Sequence, residues 1–225
     1  MLKNRKNIRA VFERADAIDL REGLVAYERY NATMRELSGR YGYAVDVVAA
    51  VFVTLSPNNN YAANLRSTAS VLEGHKAGLQ PKQITVSTYG HCKHRAWHFA
   101  DGVDFLSVTR GRKVRSFYFN ILDPQDPEPV TIDGHMIGVW LGRQIRMKEA
   151  AYLKIKYEKV ASDFRAVARD VGLLPNQLQA VVWFAWKRIN KSHFKPQLGL
   201  FCAGDQWRTR VPAAEIQAFP ARISA

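Results

Sequence analysis

Apolar residues recur at the helical interval along most of this chain. Ile8, Val11, Phe12 and Ala15 share one face, and Leu24, Tyr27, Tyr30 and Met34 share another. Ser38-Gly39 and Tyr41-Gly42 punctuate the end of this helical stretch. Residues 44–55 are apolar nearly all round. Their valines suit a strand as well, but the length of the run and the helical stretch after it favour a buried helix. Ser56-Pro57 stops that helix, and Tyr61, Leu65, Ala69 and Leu72 mark the next one. Residues 74–104 are the least regular part. Trp97 and Phe99 are expected to anchor that segment, with a short pair of helices beginning near Ala96 and Asp101.

The second half is more regular. Val114, Phe117, Tyr118 and Ile121 make one apolar face, and a proline-rich loop from Asp123 to Pro129 ends it. Met136, Ile137, Trp140 and Leu141 predict a short helix. Tyr157, Val160, Phe164, Val167 and Val171 predict a long amphipathic one closed by Gly172. After a break at Leu173–Asn176, residues 177–189 are apolar on most faces and should form a central helix. There is no internal repeat and no low-complexity linker. The pattern therefore predicts an all-α chain, with 1–225 as a single unit of two packed helical lobes and 191–225 as a tail laid on the body.

Composition narrows the function. The chain has 225 residues, 47% of them apolar, enough for a proper core. No apolar run reaches about 18 residues, so no membrane span is expected. The basic N-terminus lacks an apolar core segment, so no secretory signal is expected either. Its acids Glu13, Asp16 and Asp19 argue against an organelle transit peptide. The formal net charge of +13 favours a polyanionic partner, nucleic acid before an anionic membrane. Two cysteines, Cys92 and Cys202, are too few for a four-cysteine zinc or iron–sulfur site and suggest a reducing, intracellular compartment. His91, His94 and His98 cluster, and His94 and His98 share a helix face. No carboxylate supports them at ligand spacing, so no metal and no other cofactor is expected.

Chemistry concentrates between Arg110 and Met136. A basic, glycine-containing turn (Arg110, Gly111, Arg112, Lys113, Arg115) opens a helix, and Asp133 follows Lys113 by twenty residues, with His135 just beyond. A lysine amine becomes a nucleophile when desolvation or cationic neighbours lower its pKa. A carboxylate nearby moves protons or steadies a developing sugar cation. The plainer alternative is a solvated helix start and an aspartate capping the next helix.

Gly111-Arg-Lys113-Val114 followed by Val130-Thr-Ile-Asp133-Gly-His135-Met136 resembles the core of the helix-hairpin-helix DNA glycosylases. It is most like the bifunctional, 8-oxoguanine-type branch. The family hairpin usually reads Leu-Pro-Gly-Val-Gly-x-Lys, whereas Ser107-Val-Thr-Arg-Gly111-Arg-Lys113 lacks the proline and the first glycine. The iron–sulfur loop of the endonuclease III branch is absent. Two other stretches share the likeness, which spans about residues 44–190. Val53-Thr-Leu-Ser-Pro-Asn58-Asn59-Asn60 is similar to the segment whose amides face DNA in that family. Gln179-Ala-Val-Val-Trp183 matches a helix whose glutamine bonds the extruded base and whose aromatic stacks on it. Helix capping by the asparagines, and a core tryptophan beside a half-buried glutamine, remain open as structural roles.

The resemblance implies an all-α glycosylase fold acting as a monomer on double-stranded DNA. A damaged or modified base would be flipped out, with Trp183 stacking on it and Gln179 reading its edge. Lys113 would attack C1′, Asp133 would stabilise the sugar cation, and the imine would allow strand cleavage. His135 would orient a phosphate or hold Asp133, and the basic turn with residues 143–159 would hold phosphates. Two rivals stand beside this. One is a thymine-hypermodification enzyme on the same scaffold, of the kind found in phages, which exchanges a base substituent without excision. The other is a non-catalytic DNA-binding module.

Overall fold

The computed structural model describes residues 2–146, Glu149 and 155–190. The expected tail at 191–225 lies outside these residues, as do parts of the expected phosphate-holding stretch 143–159. Every described element is helical, so the chain is all-α among the described residues. The α-helices are α1 (Lys3–Phe12), α2 (Ala17–Leu24), α3 (Ala26–Tyr41), α4 (Val45–Leu55) and α5 (Tyr61–Lys76). They continue with α6 (Gly90–Ala100), α7 (Phe105–Val108), α8 (Arg112–Leu122), α9 (Gly134–Leu141), α10 (Tyr157–Asp170) and α11 (Pro175–Ile189), and a 3-10 turn lies at Pro81–Gln83.

Two cores form. The first surrounds α4, whose residues from Val48 to Leu55 are all buried, as its unbroken apolar run requires. Tyr27, Met34, Leu72, Phe99, Phe105, Tyr118 and Ile121 close around it. The second gathers Ile8 and Phe12 of α1, Val130 and Ile132, Met136 and Trp140 of α9, Phe164 of α10 and Leu178 of α11.

Between the cores, α2 crosses α11 closely. A Cβ on Gly23 would lie 2.5 Å from the Val181 Cα, so only glycine fits that crossing. Charged bonds fix the same crossing. Asp19 is nearly fully buried and completes a capping box with Asp16. Its carboxylate also accepts from Arg188 Nη2 at 2.6 Å, so this buried charge is paired.

The expected pair of short helices differs in its boundaries. The helices do not begin near Ala96 and Asp101. Asp101-Gly102 instead ends α6, with Gly102 at φ 95°, and Asp104 opens α7 by accepting from the Ser107 N–H at 2.6 Å. The short helix α7, the turn at 109–111 and α8 form a helix–turn–helix unit. The side chain of Asn31 covers the far end of α8, donating to the carbonyls of Ile121 and Leu122 at 2.8 and 3.0 Å.

Candidate functional site

Asp133 sits where three elements meet. It is the N-cap of α9, and its Oδ1 accepts from the Met136 N–H at 2.9 Å. Its other oxygen accepts from the indole Nε1 of Trp183, on α11, at 3.2 Å. The carboxylate therefore faces α11 while bonded to the start of α9, where the helix dipole favours negative charge.

Among the described residues no strand pairs with the segment leading to Asp133. Residues 130–132 are buried, and buried backbone polar groups need partners. Tyr157 supplies two of them. Its hydroxyl donates to the Val130 carbonyl at 2.6 Å and accepts from the Ile132 N–H at 3.0 Å. Burial pushes the Tyr157 phenol above its ordinary range, which keeps the donor proton in place. Between those two contacts, Asn120 Nδ2 donates to Thr131 Oγ1 at 3.0 Å, tying the segment to α8.

Gln179, Trp183 and Lys187 succeed one another at four-residue intervals along α11. Gln179 is buried, and its Oε1 accepts from the Tyr27 hydroxyl at 2.7 Å. Burial raises the Tyr27 phenol above its ordinary range, against the opposing bonds from Thr131 and Asn120, so the phenol stays a donor. The glutamine amide expected to read a base edge is thus engaged with α3. Trp183 is half-buried. The Lys187 ammonium lies 4.1 Å from its ring centroid, and the His135 ring meets it edge-on at 6.4 Å. The face expected to stack on a base already carries a cation.

Lys113 occupies the first turn of α8, whose N-cap Gly111 gives no side-chain bond. It is exposed, and among the described residues it makes no hydrogen bond or ion pair. The neighbouring face of α8 is different. Arg110, Arg112, Arg115 and Arg165, with the acids Asp126, Glu128 and Glu158 among them, line a cleft of about 590 Å³ between α8, the 126–130 loop and α10. Arg165 donates to the Glu128 carbonyl at 2.8 Å and pairs with Glu158, which also lies 3.8 Å from Arg112.

The three asparagines separate in role. Asn60 caps α5 by accepting from the Ala63 N–H at 2.9 Å. Asn59 donates to the Leu55 carbonyl at 3.3 Å and closes α4. Asn58 is exposed, at φ 54°, the left-handed region that asparagine tolerates. The histidines of α6 gather no carboxylate: among the described residues no group of three His, Cys, Asp or Glu side chains is placed to hold a metal ion.

Residues 2–190 match a protein family described as a family of unknown function (DUF7178). The chain belongs to the DUF7178 family. No curated protein and no solved structure matches it. The match covers every described helix of this DUF7178 member, so Asp133, Trp183 and Lys187 all lie within the family region. Among the described residues no helix is long and apolar enough to cross a membrane.

Lys187, Tyr157 and Tyr27 belong to no motif. A trace of Lys187 was present in the sequence, since it continues the interval of Gln179 and Trp183. Nothing local pointed to Tyr157 or Tyr27, whose partners lie 27 and 152 residues away at the farthest.

Proposed function

We propose that this DUF7178 protein is a DNA glycosylase with lyase activity, which flips out a modified or damaged base and cleaves its glycosidic bond. One observation carries the reading. Asp133 is held at the start of α9 by a capping bond and by Trp183, and the chain reaches it from helix α8, which begins with a run of cations. A carboxylate so held stabilises an oxocarbenium-like sugar without reorganising as charge develops. The arginine-lined cleft grips backbone phosphate and sets register, not sequence.

The chemistry runs in two parts. Unpairing and extrusion bring the sugar to the carboxylate. An amine then attacks C1′ as the base departs and forms the imine that permits strand cleavage. The resemblance assigns that amine to Lys113. A second reading, exchange of a base substituent on the same scaffold, is favoured by the exposed, unbonded state of Lys113, because that reaction needs no sugar-attacking amine.

The test is base release. Duplexes holding 8-oxoguanine, uracil, hydroxymethyluracil or no lesion are incubated with the protein, and free base is measured by chromatography. Release that fails with Asp133→Asn supports the glycosylase. Duplex binding with no base released from any substrate removes it. A changed nucleoside mass in the intact strand would then support substituent exchange.

A further inference from the structure

Asp133 shares the Trp183 ring with an amine other than the one that the hairpin motif points to. Lys187 is half-buried on α11, one helical turn beyond Trp183. Its ammonium lies over the indole at 4.1 Å, and the same indole donates to Asp133 at 3.2 Å. One ring thus carries the lysine on its face and the carboxylate at its edge. Burial pushes the Lys187 ammonium below the ordinary lysine range, while the attraction of Asp133 partly restores it. Lys113, by contrast, is exposed and makes no bond among the described residues.

We infer that Lys187, seated on Trp183 beside Asp133, is the amine that attacks C1′, and that Lys113 belongs to the phosphate-gripping turn. The inference rests on the glycosylase reading above. A desolvated amine reaches its nucleophilic form more readily at neutral pH than a solvated one. The indole face holds the Lys187 ammonium in place, and the Asp133 carboxylate at the edge of the same ring opposes the cation that forms.

In the first step Lys187 gives its ammonium proton to solvent. Its nitrogen bonds to C1′ as the C1′–base bond breaks, and the base leaves with that electron pair. The new ammonium then passes a proton to the departing base, which is released neutral. Next the C1′–O4′ bond opens with O4′ taking a proton from solvent, and the nitrogen lone pair forms a protonated imine. No oxidant or cofactor enters. Borohydride, added in the test, reduces that imine to a stable secondary amine.

The experiment uses the full wild-type chain with the same duplexes and one holding an abasic site, reduced with borohydride. The trapped species is digested, and the modified residue is located by mass spectrometry. The expected adduct is on Lys187. Lys187→Arg keeps a cation over Trp183 but forms no imine under these conditions, so the trapped band should fall at least about tenfold while duplex binding persists. An adduct on Lys113, or a band undiminished in Lys187→Arg, overturns the inference and leaves the glycosylase reading intact. Base release without any adduct also overturns it, leaving a glycosylase that works without a covalent amine. Neither base release nor adduct overturns both.

Discussion

The Tyr157 hydroxyl donates to the Val130 carbonyl at 2.6 Å, and through this bond α10 positions the segment that ends at Asp133. The same oxygen accepts from Ile132, so one phenol stands in for a partner strand. Tyr157→Phe leaves two backbone groups in a buried segment without their partner. The expected cost is about 1–3 kcal/mol, read by urea unfolding. Base release should fall by a larger factor than duplex affinity, since Asp133 loses its register while the arginines keep theirs.

Asp133 has a structural duty, the proposed reaction gives it a chemical one, and two substitutions separate them. Asparagine caps helices about as well as aspartate, so Asp133→Asn keeps the cap. Its amide nitrogen cannot accept from Trp183, and the expected cost is that one bond, about 1 kcal/mol. The substitution removes the negative charge, and base release should fall on the order of a hundredfold or more. Asp133→Ala loses the cap and the Trp183 bond, and should cost about 1–2 kcal/mol in addition. Equal stability of the alanine and asparagine variants would contradict the capping role.

The close crossing of α2 and α11 predicts a destabilising alanine. At Gly23 the added methyl would meet the Val181 backbone at 2.5 Å, and backbone cannot rotate away as a side-chain tip can. Gly23→Ala should cost about 1–3 kcal/mol through forced separation of the two helices. Thermal unfolding reads it directly, and a midpoint equal to wild type would mean that the helices shift apart freely.

Alkaline pH should unfold the protein from inside its first core. Burial, together with Asp46 and Asp104, pushes the Tyr118 phenol up to about 12. An unfolded tyrosine ionises near 10. Between those values the folded state binds more protons than the unfolded one, so stability falls as pH rises. The contribution is complete below about pH 10 and is lost as pH climbs through 12. Tyr118→Phe should flatten the decline of the melting temperature over that window. The buried Tyr27 and Tyr30 phenols, also raised above their ordinary range, add in the same direction.

The arginine-lined cleft predicts a salt signature. Replacing Arg112 and Arg115 with alanine removes two of the cations that the proposed function sets against phosphate. The slope of log affinity against log salt should fall by roughly 2 if each meets one phosphate. The measurement is a duplex-binding titration at several salt concentrations. An unchanged slope would place DNA elsewhere on the surface.

Periodicity and end signals alone determined most of the helices, though not the breaks at residues 13–16 and at Val25 that divide the first stretch into α1, α2 and α3. The apolar run before Ser56, the face of Tyr157 to Phe164 and the stop at Gly172 depend on neighbours within a turn or two, which the sequence displays directly. The same holds for Asp133 at a helix start and for Asn60 as a cap. The hairpin boundaries were less legible, because α7 is only four residues long and too short to show a period. What only the tertiary structure decided is which side chains meet. Helical spacing puts Gln179 on the same face of α11 as Trp183, but its bond to Tyr27 spans 152 residues of chain. Lys113 carries the motif spacing, yet Lys187 is the lysine that shares the Trp183 ring with Asp133. Helical spacing sets the face a residue occupies; whether that face is solvated, desolvated or set against a carboxylate depends on the packing of distant helices.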